Sequence, residues 1–273
     1  MKNINYQLFV SDFDGTLCQR NGKVSEESKN IIQQYIADGG KFAISTGRLH
    51  YGILSQAKEL GLKGAISCCN GALILDIQTH TPLLDGAMTI EKTVETCKRL
   101  EELDLHIHLY TFDNFYCNKD DEALIAYEKM MGNKAIRVLD KPLSQYALEN
   151  GLRTYKMLAM VEPERIDGYI SELRKRPIDD CEITKSASFL LEIVNSHYSK
   201  GTAVRFLADY YGIPLEKTVG IGDQWNDLPM IQTAGLGLAV KNGDPLLKSK
   251  ATVLDYTNDE GAVAKAVKKY GYL

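Results

Sequence analysis

Long apolar runs are missing from this sequence. The first one, Tyr6 to Val10, is interrupted by Ser11 and Asp12, far short of the roughly 20 apolar residues that a membrane-spanning helix needs. The same interruption comes before the apolar stretch of a secretory signal could form, so the expectation is a cytoplasmic protein with no membrane partner. The six cysteines, Cys18, Cys68, Cys69, Cys97, Cys117 and Cys181, contain no C-x-x-C pair. That removes the sequence patterns of zinc ribbons and dithiol redox centres and predicts free, buried or half-buried thiols. No basic block stands out either: 32 Lys and Arg stand against 36 Asp and Glu, a net charge of -4, so no nucleic acid is expected as the main partner. Repeats of fixed period and low-complexity stretches are also lacking.

What is there is material for a sizeable core. Hydrophobic residues make up 44% and charged residues 25% of the 273 positions, the balance of a globular chain of one large domain or two modest ones. Near the N-terminus, strand-length apolar runs alternate with helical patterns. The runs 6–11 and 41–45 flank a helix over 25–38, with Ser25 as N-cap and Glu26 and Glu27 at the positive helix end. A second helix over 49–60 leads to the run 65–68. The pattern returns at the C-terminal end, with helices over 200–211, 226–233 and 261–270, strands over 218–221 and 236–240, and Asp244-Pro245 opening a short helix. Such alternation builds a parallel sheet with helices on both faces, an α/β fold.

Between these halves the texture changes. Amphipathic helices over 90–103, 121–131 and 163–174 are interspersed with period-two strands at 106–110 and 155–161, and Phe112-Asp113-Asn114-Phe115 reads as a hairpin turn. The expected organisation is a core of 1–81 and 189–273 with an inserted α+β module at 82–188.

The strongest chemical signal is Asp12-Phe13-Asp14-Gly15-Thr16-Leu17 directly after the first strand. Residues two apart in extended chain share a face, so both carboxylates can look into one site, and open α/β sheets place ligands at strand carboxyl ends. Three more segments join it: Thr46-Gly47-Arg48 after the second strand, Ser199-Lys200-Gly201 and Gly222-Asp223-Gln224-Trp225-Asn226-Asp227. The Thr46 hydroxyl and a Gly47 N–H at a helix start suit phosphoryl oxygens. Lys200 stands at a predicted helix N-terminus, where the dipole disfavours a cation, so an anionic partner is expected.

In type and order these four segments resemble the motifs of the haloacid dehalogenase-like phosphatase superfamily. Thr46-Gly47-Arg48, Asn70-Gly71-Ala72 and an insertion between the second and third motifs resemble its Cof-type, sugar-phosphatase-like subfamily. The resemblance implies a Rossmann-like core with an inserted cap that closes over the site and selects the substrate. It also implies a Mg2+-dependent phosphatase acting on small phosphate monoesters such as sugar phosphates. Asp12 would be the nucleophile that forms an aspartyl-phosphate, and Asp14 the general acid and base. Lys200, Thr46, Gly47 and Asn226 would hold the phosphoryl group. The metal would take the carboxylates of Asp12 and Asp223 and the backbone carbonyl of Asp14, with Asp227 beside it or orienting Lys200. Arg48 contacts substrate or pins a core acid, and Asn70 lines the entrance. Trp225 reads as apolar filler, and His106 and His108 as half-exposed histidines on a cap strand. The rival readings are a sugar phosphomutase on the same fold and a non-catalytic ligand-binding regulator.

Overall fold

The computed structural model describes residues 3–273, the side chains at 130, 131 and 186 excepted. In chain order the elements are β1 (Leu8–Ser11), α1 (Glu26–Ala37), β2 (Lys41–Ile44), α2 (Leu54–Glu59), β3 (Ala65–Cys68), β4 (Leu73–Asp76) and β5 (Pro82–Asp85). There follow α3 (Ile90–Glu101), β6 (His106–Tyr110), β7 (Phe115–Cys117), α4 (Glu122–Met131), β8 (Ile136–Arg137), α5 (Leu143–Glu149), β9 (Lys156–Met160), α6 (Ile166–Lys175), β10 (Cys181–Ala187) and β11 (Leu190–Asn195). The chain ends with α7 (Lys200–Tyr211), β12 (Thr218–Gly222), α8 (Leu228–Thr233), β13 (Leu236–Ala239), α9 (Pro245–Lys248), β14 (Thr252–Val253) and α10 (Ala262–Tyr270).

These elements form two compact units, one reaching to Asp85 and resuming at Tyr198, the other spanning Gly86–His197. Both junctions fall later than the expected 82 and 188. Pro82–Asp85 is strand β5, paired with β4 of the first unit, and Leu190–Asn195 is β11, paired with β10 and β9 of the second. Strand pairing, not a change in composition, decides where each segment belongs.

The first unit is built on a five-stranded parallel sheet in the order β14-β13-β12-β1-β2. Alternation along β1 sends side chains to both faces. Leu8 and Val10 join Ala203, Val204, Leu207 and Met230 of α7 and α8, while Phe9 meets the Tyr35 ring of α1 edge to face at 5.3 Å. Tyr35 closes that side by donating its hydroxyl to the Tyr6 carbonyl at 2.6 Å. A small antiparallel sheet, β3-β4-β5, continues from the β2 side through a bridge between Ser45 and Ser67. Neighbouring β1 and β12 connect onward in opposite directions, a switch point whose carboxyl ends open a crevice.

The Ser25-capped helix forms as expected, with Ser25 Oγ accepting from the Ser28 N–H. Two other helices are shorter than their patterns suggest. After Leu49 the chain makes a 3-10 turn at His50–Gly52, and Ile53 breaks it (φ -138°) before α2 begins. Asn226 likewise lies in a 3-10 turn, Trp225–Asp227, ahead of α8.

The second unit has a six-stranded sheet, β10-β11-β9-β6-β7-β8, antiparallel except for the β7–β8 pair. The hairpin expected around residues 112–115 is the β6–β7 connection, with Tyr110 opposite Phe115. One face is apolar: Ile107, Leu109, Met157, Ala159, Leu191 and Ile193 pack with residues of α3, α5 and α6. The opposite face carries His106, His108, Lys156 and Glu192, all buried. The two histidines are thus not half-exposed as the sequence suggests. Tyr127 of α4 packs its ring on His108, with centroids 4.9 Å apart.

Candidate active site

The Asp12 N–H donates to the Ile221 carbonyl of β12 at 2.8 Å, extending the parallel ladder one residue beyond β1. The chain then leaves the sheet through Gly15 at φ +76°, and a Cβ there would lie 2.4 Å from Asp223 Oδ2. Only glycine allows both the left-handed turn and so close an approach by the carboxylate from the other half of the sequence. Thr16 Oγ donates to Asp223 Oδ1 at 2.8 Å, fixing that carboxylate from the first motif.

Asp12, Asp223 and Asp227 are buried, and one carboxylate oxygen of each lies within 4.8 Å of those of the other two. Lys200, 1% exposed, donates from Nζ to Asp12 Oδ1 and to Asp227 Oδ1, each at 2.5 Å. Ser199 starts α7 as an N-cap with a reciprocal bond to Thr202, which places Lys200 on the first helical position. Asp227 has two tasks. Its Oδ2 accepts the N–H groups of Asp223 and Gln224 at 2.8 and 2.9 Å, closing the loop after β12, while its Oδ1 orients Lys200. Of the two roles left open for Asp227, orienting Lys200 is thus directly visible.

Three buried carboxylates beside one ammonium leave negative charge without a full counter-charge. Burial pushes the Asp12 carboxyl well above the usual carboxylate range, Lys200 pulls it back and the neighbouring aspartates push it further up. Burial, followed by Asp227, also raises Asp223. The opposite holds at Lys200: burial works against its charge, but Asp12 and Asp227 more than offset this and raise it above an ordinary lysine. An all-oxygen donor set in which burial disfavours the ionised carboxylates fits a hard divalent cation, whose charge would favour the ionised forms.

Asp14 is set apart from this cluster. Its half-exposed carboxylate accepts from Arg48 Nε at 2.7 Å and Nη2 at 2.6 Å, and the guanidinium stacks over Phe13 at 5.0 Å. Arg48 therefore pins an acid, one of the two roles open to it. Thr46 is buried, and its Oγ accepts the Arg48 N–H at 3.1 Å, so the hydroxyl keeps its own proton to donate. Gly47 does not start a helix as expected. Residues 47 and 48 form a bend, and the helical turn that follows has only three residues. The small residue matters for space, since a Cβ at Gly47 would lie 3.2 Å from Asn70 Oδ1. Asn70, left-handed at φ 55° in its own 3-10 turn, accepts from Asn226 Nδ2 at 3.1 Å. These two residues, one from Asn70-Gly71-Ala72 and one from the last of the four segments, meet beside Gly47.

Trp225 departs from expectation. The indole is 53% exposed and is not apolar filler. Gln224 was not singled out in the sequence, yet its Nε2 donates to Asp223 Oδ2 at 3.2 Å. Its place inside the fourth motif was the signal available.

A parallel sheet with acids gathered at the ends of its two central strands and an α+β unit inserted after β5 defines a class. The chain belongs to the haloacid dehalogenase-like hydrolases, whose family profile matches residues 9–267. Among its relatives is the phosphatase YwpJ of Bacillus subtilis, 28% identical over 96% of this chain and 99% of that protein. Another is the 5-amino-6-(5-phospho-D-ribitylamino)uracil phosphatase YitU of the same organism, 28% identical over 96% and 97%. A crystal structure from Thermotoga maritima superimposes with a TM-score of 0.83 at 28% identity, covering 97% of each chain. The family and fold implied by the motifs are those found. Among the described residues no helix is long and apolar enough to cross a membrane.

Proposed function

We propose that this protein is a Mg2+-dependent phosphatase that hydrolyses small phosphate monoesters through an aspartyl-phosphate on Asp12. The observation that carries this reading is the buried group formed by Asp12, Asp223, Asp227 and the Lys200 ammonium. Such a site provides a nucleophile, positive charge for a dianionic group and oxygen ligands for a metal. Asp12 and Asp223, with the Asp14 backbone carbonyl, would hold Mg2+, which when bound would offset the carboxylate charge and polarise the phosphoryl group.

In the first half-reaction an Asp12 oxygen forms a bond to phosphorus as the ester P–O bond breaks, and Asp14 gives its proton to the leaving alkoxide. In the second, Asp14 takes a proton from water, the water oxygen bonds to phosphorus, and the Asp12–phosphorus bond breaks to release phosphate. Throughout, Thr46, the Gly47 N–H, Asn226 and Lys200 donate to the phosphoryl oxygens. Arg48 keeps Asp14 directed, and Asn70 positions Asn226. Selection of the leaving group is assigned to the inserted unit, because the core motifs engage the phosphoryl group common to all substrates.

The test is a panel of hexose, pentose and ribityl phosphates, assayed with Mg2+ and after chelation for both free phosphate and isomerised ester. Metal-dependent phosphate release that Asp12→Asn lowers by at least about three orders of magnitude supports the reading. Isomerised sugar phosphate without free phosphate would identify a mutase. Absence of turnover on every ester, with tight metal-dependent binding, would identify a regulator.

A further inference from the structure

We propose that the inserted unit carries a second metal site, separate from the aspartate cluster, in which Nε2 of His106, Nε2 of His108 and Sγ of Cys117 hold a zinc ion. The three side chains converge because of strand geometry. His106 and His108 are two apart on β6 and share a face, and Cys117 of β7 is the cross-strand partner of His108. All three are buried, and their ligand atoms lie within 4.8 Å of one another. His106 Nε2 is 3.0 Å from Cys117 Sγ and 3.2 Å from His108 Nε2. Tetrahedral zinc at ordinary bond lengths separates two nitrogens by about 3.3 Å and sulfur from nitrogen by about 3.6 Å, so small adjustments would admit the ion.

The protons explain why a cation fits better than a dry hydrogen-bonded cluster. Asp121 Oδ2, 3.1 Å from His106 Nδ1, can only accept, which assigns the ring proton to Nδ1 and leaves a lone pair on Nε2. With Tyr110 donating its hydroxyl proton to Tyr127 at 2.6 Å, the tautomer that carries its proton on His108 Nδ1 has the Tyr110 oxygen 3.5 Å away and leaves a lone pair on His108 Nε2. Cys117 Sγ donates outward to the Lys119 carbonyl at 3.2 Å. In these tautomers three lone-pair atoms face one another with their protons directed away, an arrangement that a cation entering between them would satisfy. The outer partners are those of a built site, since a carboxylate or hydroxyl on the far ring nitrogen fixes tautomer and orientation.

Two imidazoles and a thiolate select a borderline-soft ion such as Zn2+ over Mg2+. Burial keeps the histidines neutral, with His108 pushed down to about 3, and holds Cys117 as a thiol, raised to about 12. Binding therefore releases the Cys117 proton as the metal–sulfur bond forms. The ion would tie β6 to β7.

The test uses the full-length protein, stripped with a chelator and loaded with ZnCl2 or CoCl2. One thiolate-bound equivalent is expected, beyond any metal that the aspartate cluster takes up, with a thiolate-to-cobalt charge-transfer band that persists in Asp223→Asn and disappears in Cys117→Ser. His106→Gln or His108→Gln should weaken zinc at least about tenfold. X-ray absorption on the zinc-loaded wild type, which does not depend on any variant folding, should give one sulfur at about 2.3 Å and nitrogens at about 2.0–2.1 Å. No bound zinc, a shell of oxygen alone, or a cobalt–thiolate band that survives Cys117→Ser would overturn the site.

Discussion

Asp14 is held by both carboxylate oxygens, at 2.7 and 2.6 Å from Arg48, while Asp12 two residues earlier is buried against Lys200. The two acids of one motif thus stand in different environments, in keeping with the separate roles of nucleophile and proton donor proposed for them. On the proposed mechanism, Asp14→Asn should lower kcat on alkyl phosphates by about 10²–10⁴-fold. The loss should be much smaller on p-nitrophenyl phosphate, whose leaving group needs no proton. Steady-state rates on both esters check this, and equal losses would remove Asp14 from the proton-transfer role. The paired aspartates and their order were legible in the sequence because the spacing of two is local. The grip of Arg48 on Asp14 was not, because 34 positions separate the partners.

Between elements, the turn after β1 decides whether the site can close. Gly15 at φ +76° brings the backbone against Asp223. Gly15→Ala adds about 1–2 kcal/mol of left-handed strain, and its methyl group would push the Asp223 carboxylate from its place. A melting temperature lower by a few degrees and a weaker Mg2+ dependence of turnover are expected, read by thermal denaturation and metal titration. Unchanged metal dependence would mean that Asp223 is not a ligand. Less was legible in the sequence at this scale. The patterns over 49–60 and 226–233 suggest single helices, whereas 3-10 turns take up their beginnings. Apolar periodicity marks which face is buried but is insensitive to where Ile53 breaks the hydrogen-bond ladder or where Asp227 draws the loop N–H groups onto itself.

For the whole molecule, buried charge links stability to pH and metal. Asp12 and Asp223 have folded-state values above those of an unfolded chain. The metal-free native protein therefore binds more protons than the unfolded chain between the ordinary carboxylate range and those raised values, and this contribution to stability falls as pH rises through that window. With chelator present, these residues should favour the acidic end of the window, and the fall should be smaller in Asp12→Asn. Mg2+ should raise stability most at neutral pH, by about 2.7 kcal/mol at one hundred times its dissociation constant. Denaturant melts across pH with and without metal test both. A metal effect that does not depend on pH would separate the ion from these carboxylates.

The sequence by itself determined the alternation that makes a parallel sheet, the four segments that bear chemistry and the presence of an inserted unit. Each depends on local spacing and on the type of side chain. Tertiary structure decided what depends on partners far apart in the chain. It set the unit boundaries, through pairing of β5 with β4 and of β11 with β9. It decided the burial of His106 and His108, through β7 and α4 packing over them, and the exposure of Trp225. It also brought Lys200 between Asp12 and Asp227, because such a cluster depends on where separate strand and helix ends meet in space.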